Sequence, residues 1–367
     1  MAKDRSAAQS LDDGHPPPVT QNRASVIDAE AHRRAEATTA EAAAAEQLLS
    51  EEGEDRGRSA GRPSQIPPLG WKDILWRIWE QFNKDRMLLV AAGASFYLLL
   101  ALFPALAAFV SLYGFVADPV TVADHVAYLG GLMPAGGLDL IRGQLEALAR
   151  QGNDALGISF FGGFAIALWS ANSGVKAIFD AMNIAYEEEE KRSFVRLNLL
   201  SLTFTVAALL IGIVMLLTVG IVPVILRLLY LDSWTELIVS AARWPLLTLL
   251  VLAGVSLVYR FGPSRERAKW RWLNWGAAFA TLGWIAASWG FSFYLQHFAN
   301  YNVTYGSLGA VIGLMMWIWI STVIVIVGAA VNAEMEHQTA CDTTTGAPLP
   351  MGLRGAYVAD TLGKAAE

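Results

Sequence analysis

Apolar residues in this chain gather into long runs instead of alternating with polar ones. They cover about residues 87–116, 155–171, 197–226, 237–261, 273–298 and 306–331, with few charges inside them. A helix needs about 20 apolar residues to cross roughly 30 Å of hydrocarbon. The pattern therefore predicts an all-α polytopic membrane protein with six transmembrane helices. Pro104 lies inside the first run and predicts a kink there. Asp154 is a plausible N-cap for the second. Val175, Ile178, Phe179 and Met182 continue that helix, a continuation expected to carry Lys176 and Asp180 into water.

Outside the runs the spacing changes. Trp71, Ile74, Leu75, Ile78, Trp79 and Phe82 recur at the period of one helix face, with Lys72, Asp73, Arg77 and Lys84 on the others. Tryptophans just ahead of a spanning run predict a helix lying in the membrane interface. Residues 119–152 are too polar to span, yet Leu138, Ile141, Leu145 and Leu148 form a stripe, so short amphipathic helices are expected between spans one and two. Residues 1–70 are rich in Ala, Glu, Arg, Ser and Pro and read as a disordered cytoplasmic tail. The expected membrane domain is 71–336, followed by a flexible cytoplasmic tail at 337–367.

Composition agrees with the pattern, since 54% of the residues are hydrophobic and mean hydropathy is +0.39. The first apolar run begins only near Met87, so a cleaved leader is not expected. Basic residues set the expected orientation. Lys72, Arg77, Lys84 and Arg86 precede span one, Lys176, Lys191, Arg192 and Arg196 follow span two, and Arg260, Arg265, Arg267, Lys269 and Arg271 follow span four. The other side holds Arg142, Arg150, Arg227 and Arg243, thirteen against four. Both termini are expected in the cytoplasm of a bacterium, with the spans in its inner membrane.

Candidate chemistry is sparse. A single cysteine, Cys341, leaves no disulfide framework or cysteine metal cluster. His15 and His32 lie in the tail, and His125, His297 and His337 stand apart, without metal-ligand spacing. No phosphate loop or nucleophile elbow is evident, so neither a cofactor nor an enzyme is expected. Small polar residues at membrane depth, such as Ser95, Thr205, Thr281, Ser288 and Ser292, read as packing positions. Arg243 sits inside the fourth apolar run and either snorkels outward beside Trp244 or makes a buried anion or lipid-headgroup contact. Asn332 and Glu334 close the sixth span, where Glu334 either pairs with a basic residue or meets a substrate. Asn302, Thr304, Tyr305 and Gly306 belong to a polar turn, Asn300 to Gly309, that either lines an entrance or simply reverses the chain.

Several motifs resemble one family. They are Asp85 with AAGASFYLLLALFP (91–104), SGVKAIFDAMNIAY (173–186), YRFGP (259–263), YNVTYGSLGAVIGLMMWIW (301–319), and the closing Gly328, Asn332, Ala333 and Glu334. The chain is similar through these to the YihY / virulence factor BrkB family, once labelled ribonuclease BN. The resemblance covers roughly Trp71 to Glu336 and implies a six-helix inner-membrane protein, with a link to lipid handling in the envelope. The ribonuclease label conflicts with the residues, which offer no metal cluster and no basic surface suited to RNA, so no nucleic-acid partner is expected. The expected function is permease-like movement or transfer of an amphipathic molecule, such as a lipid, with membrane lipids as partners. A scaffold that recruits protein partners, or a homo-oligomer, remains the alternative.

Overall fold

The computed structural model describes residues 54–113, 143, 158–228, 233–297 and 308–366. An amphipathic helix, α1 (Pro68–Lys84), leads into six long ones: α2 (Met87–Tyr113), α3 (Ile158–Ala185), α4 (Phe194–Leu228), α5 (Ser233–Phe261), α6 (Trp270–His297) and α7 (Leu308–His337). A single helical turn, α8 (Tyr357–Asp360), follows. Each long helix overlaps one apolar run of the sequence. Four contain stretches long and apolar enough to cross a membrane among the described residues: Met87–Leu106, Phe194–Met215, Trp244–Phe261 and Val311–His337. The expected amphipathic helices of 119–152 and the turn at 300–307 lie outside the described residues, as does the tail before residue 54.

Only 17–28% of those four stretches is buried within the protein. Phe96, Leu100 and Phe103 on α2, Leu210 and Val214 on α4, and Leu246 and Leu249 on α5 all face outward. Exposed apolar surface of this extent needs a cover, and hydrocarbon supplies one. The interior is built differently. Ala91, Ala181, Ala185, Ala277, Ala280, Ala329 and Ala333 form much of the central cluster. Small side chains allow the close backbone approach that drives helix association in lipid, where hydrophobic burial between helices gives little.

The tightest approach joins α6 to α7. A Cβ on Gly276 would strike the Gly328 carbonyl and the Asn332 amide, and one on Gly328 would strike Tyr259 and the Gly276 carbonyl. Asn332 accepts the Gly276 N–H at 2.8 Å and donates to the Leu273 carbonyl at 3.1 Å, pinning both helices. From α5, the Tyr259 hydroxyl donates to Val325 O at 2.7 Å. On the other flank, α2 packs along α3 and α7, and α4 packs on α3.

Three expectations need correction. Residues 338–366 are not a loose tail but pack across the end of α1 and α7, with Val358, Ala359 and Arg354 buried. Residues 54–67, assigned to the disordered tail, are folded against the same surface: Ala340 donates its N–H to Arg58 O, and Thr339 bonds Ala60 O. Lys176 does not reach freely into water. Its ammonium donates to Asn198 Oδ1 at 3.1 Å and lies over the Trp169 ring, tying α3 to α4. Each correction has one cause: polar groups near the bundle end satisfy one another across elements, which no local spacing reveals.

In α1 the inward face mixes polar and apolar side chains, with Trp71, Ile78 and Phe82 packed against buried clusters. Asp73, Arg77 and Gln81 point into the protein with Ile74, while Leu75 is 61% and Trp79 69% exposed. The exposed Leu75 and Trp79 leave apolar surface on α1 that needs a cover, as the outer faces of the long helices do.

Gly276→Ala should lower the melting temperature of the detergent-solubilised protein by the equivalent of about 1–3 kcal/mol of overpacking. Gly254→Ala, where nothing lies within 4 Å of the new methyl, should melt like the parent.

Candidate functional site

Two features near the axis of the bundle bear on function: a layer of buried charge at one end, and a cavity among the helices. The layer begins with the last turns of α7. Glu334 accepts from Arg77 Nε, and Arg77 also reaches Gln338 Oε1 at 2.7 Å and Lys364 O at 2.8 Å. Asp73 accepts from Arg56 at 2.7 Å and from the Ala366 N–H at 2.9 Å. Burial alone would raise its carboxyl pKa, but these donors outweigh it and hold Asp73 below the usual carboxylate range. Arg58 donates to Gly363 O at 2.6 Å, and burial, followed by the nearby Arg77 charge, pushes its pKa down to about 10.

A second pair completes the layer. Arg265 and Glu336 meet at 2.7 Å with side chains 2% and 0% exposed, and Thr343 donates to the same carboxylate. Arg265 also stacks over Tyr186. Every formal charge here has an opposite charge or several hydrogen bonds, as burial requires. The chemistry is that of a latch: it binds residues 54–67 and 338–366 to the ends of α1 and α7.

The cavity occupies about 370 Å³ between α2, α3, α5, α6 and α7. Its walls are Leu98, Leu102, Val251, Val255, Leu314 and neighbouring apolar side chains. The few polar groups are spent locally. Thr281 donates to Ala277 O, Ser321 to Trp317 O, and Thr322 to Ile318 O, each about one helical turn back. Trp284 donates to Ser321 at 3.0 Å and Trp317 to Ser288 at 3.1 Å, with the two rings 6.0 Å apart. Ser95 reaches Thr322 at 3.3 Å across the α2–α7 contact. A space of this size falls within the range of ligand pockets. Its lining suits hydrocarbon and offers no charge to an ion.

The sequence-derived candidates separate. Asn332 and Glu334 are buried in the α6–α7 contact and the charged layer, engaged with protein partners. Arg243 lies in α5 one residue before the apolar stretch Trp244–Phe261. Asn302, Thr304, Tyr305 and Gly306 lie outside the described residues. Sequence reasoning missed Glu336, Arg58 and Asp73 as members of the charged layer, because their partners are distant along the chain. The cavity gave no signal either, since its walls are ordinary span residues. Among the described residues, no group of three or more His, Cys, Asp or Glu side chains is arranged to hold a metal ion.

A helical bundle with apolar outer surfaces, a charged layer at one end and an apolar internal cavity defines a multi-pass membrane protein. The chain belongs to the virulence factor BrkB family, whose model matches residues 78–350. It is 34% identical over 257 residues to the ribonuclease-like protein YfkH of Bacillus subtilis, covering 68% of this chain and 90% of that relative. It is 28% identical over 165 residues to a UPF0761 membrane protein of Tolumonas auensis, 44% of this chain and 52% of that protein. A UPF0761 membrane protein of Verminephrobacter eiseniae is 27% identical over 268 residues, covering 72% of this chain and 62% of its own length. No solved structure matches the chain significantly.

Arg77→Met should destabilise the protein by about 3–5 kcal/mol, because it strands a buried carboxylate, whereas Arg77→Met combined with Glu334→Met should regain most of that loss. Thermal melting of the three proteins side by side checks it.

Proposed function

We propose that this protein is a six-span inner-membrane protein that binds an amphipathic molecule, such as a lipid, and passes it across or along the bilayer. The observation that carries the reading is the apolar cavity whose polar groups are already satisfied by neighbouring backbone and indoles. Such a lining accepts an acyl chain without leaving a donor or acceptor unpaired. A coupled ion pathway would need ionisable groups at mid-membrane, and the described cavity wall has none.

The topology in this reading is supported by where the described ends of the chain meet. Arg58, ahead of α2, bonds Gly363, beyond α7, so the two sides of the bundle's sequence share one end. A shared end calls for an even number of crossings, and in this reading the six long helices are those crossings. The basic residues Arg77, Arg192 and Arg265 stand at elements joined to that end, which supports a cytoplasmic placement of both termini. A maleimide that does not cross membranes should leave the exposed Cys341 unlabelled in intact cells and label it after permeabilisation. Labelling from outside reverses the orientation.

The ligand reading is tested by filling the cavity. Val251→Phe places a ring in it, and the purified variant should retain several-fold less co-purifying lipid than the parent while melting at a similar temperature. Retention equal to the parent sinks the reading and moves a partner-recruiting scaffold ahead of it. The YfkH name attaches ribonuclease likeness to that relative. For this chain we infer no such activity, and the same preparation should leave labelled RNA uncut.

A further inference from the structure

A second concavity lies at the α4–α5 side of the bundle end, away from the internal cavity, and its chemistry is opposite. It measures about 500 Å³ and is walled by residues of the α3–α4 loop, the start of α4, the end of α5 and the α5–α6 loop. Lys191, Arg192, Arg196, Arg260, Arg265 and Arg267 all line it, against one carboxylate, Glu266. Three of the six cations are already engaged by acids: Lys191 by Glu188 at 2.7 Å, Arg192 by Glu190 at 2.6 Å and Arg265 by Glu336 at 2.7 Å. The other three have no carboxylate partner among the described residues. Arg260 is held by Ala268 O at 2.6 Å and by the Trp270 ring at 4.5 Å, and Arg267 lies 4.9 Å from the centre of the Phe261 ring. Rings and a carbonyl position these guanidiniums without neutralising them.

The depth of this site is fixed by its walls. The apolar stretch of α4 begins at Phe194 and that of α5 ends at Phe261, so both helices reach the edge of hydrocarbon at the pocket. Leu199, Leu200 and Thr203 continue the wall along α4, where Phe194 is 71% and Leu199 66% exposed. Arg196 stands among them, cationic at the boundary of an outward apolar face. A ligand here meets guanidinium forks on one side and an acyl-compatible surface on the other.

We propose that this pocket binds a phosphate group, carried by an anionic phospholipid of the leaflet on that side. Guanidiniums bind phosphate oxygens through paired N–H donors, and a phosphate at the headgroup level arrives with its chains already directed along α4. The proposal rests on the membrane reading of α4 and α5 and not on the internal cavity. Val251→Phe therefore leaves it intact.

The test uses the full-length protein in detergent, with bound lipid counted by native mass spectrometry as phosphatidylglycerol or phosphatidylcholine is added. Phosphatidylglycerol should bind more tightly. Arg196→Gln and Arg267→Gln should each weaken it about fivefold, the effect of one surface cation on an anionic lipid. Both side chains are exposed and have no acid partner among the described residues, so melting should not change. Arg271→Gln, an exposed cation of the same loop region that does not line the pocket, should bind like the parent. Equal binding by the Arg196 and Arg267 variants, or an equal loss in the Arg271 variant, overturns the site. Displacement of the lipid by equimolar glycerol phosphate keeps the phosphate recognition and overturns the lipid as its source. Displacement by a short RNA, with glycerol phosphate inert, overturns both.

Discussion

Gly276 and Gly328 bring the backbones of α6 and α7 so close that no side chain fits between them, and the bundle is arranged around that contact. Because lipid tails are as apolar as the helix surfaces, burial gives little reason for two helices to meet there, and close packing with directed hydrogen bonds must do it. Asn332 contributes the bonds by spanning both helices, and Tyr259 ties α5 to Val325 of α7, beside Gly328. Once α5, α6 and α7 are fixed, bulky residues farther along them cannot all interdigitate. Trp284 and Trp317 meet at a tilt beyond the contact, and the space left beside them is the apolar cavity.

The same contact explains the charged layer. Glu334 and Glu336 follow Asn332 on α7 by two and four residues, so the helix that is pinned at Asn332 delivers two carboxylates to fixed positions at the bundle end. One meets Arg77 of α1 and the other Arg265 of the α5–α6 loop. Buried pairs of this kind add little net stability beyond an apolar alternative, but each strongly disfavours any arrangement that separates its partners. Their effect is to hold α1 and the segments 54–67 and 338–366 in one arrangement.

The helices were legible because crossing hydrocarbon imposes a length, and four of the long helices contain a described stretch that meets it. Asn332 and Glu334 were legible as polar residues closing a span, with pairing already one of the readings for Glu334. What remained hidden was long-range. Arg58 meets Gly363 and Asp73 meets the Ala366 N–H, separations of hundreds of residues that leave no periodic trace. A tail rich in Ala and Gly without apolar stripes looks unable to order itself, and by burial alone it would not. It is ordered here by backbone carbonyls and amides that serve as partners for buried guanidiniums and a carboxylate. Local composition counts apolar area and has no way to register that.

Basic residues illustrate how one sequence signal divides into several physical roles. As a count, thirteen cations against four set the expected orientation, and for that purpose all are equal. The structure makes them unequal. Arg77 and Arg265 are consumed by buried carboxylates, Lys176 by an asparagine between helices, and Arg192 by Glu190 and the carbonyls of Phe261 and Gly262. Among the described residues, Arg196 and Arg267 are left with no acid to face, where two apolar stretches end. A cation that serves only orientation can stand anywhere along its loop, dispersed to reduce repulsion. Instead these two share one concavity with Arg260 and with the three cations already paired to acids, although like charges placed together repel. Concentrating positive charge in a recess bordered by apolar helix is costly unless an anion relieves it, and the membrane beside α4 is a standing source of anions with chains attached.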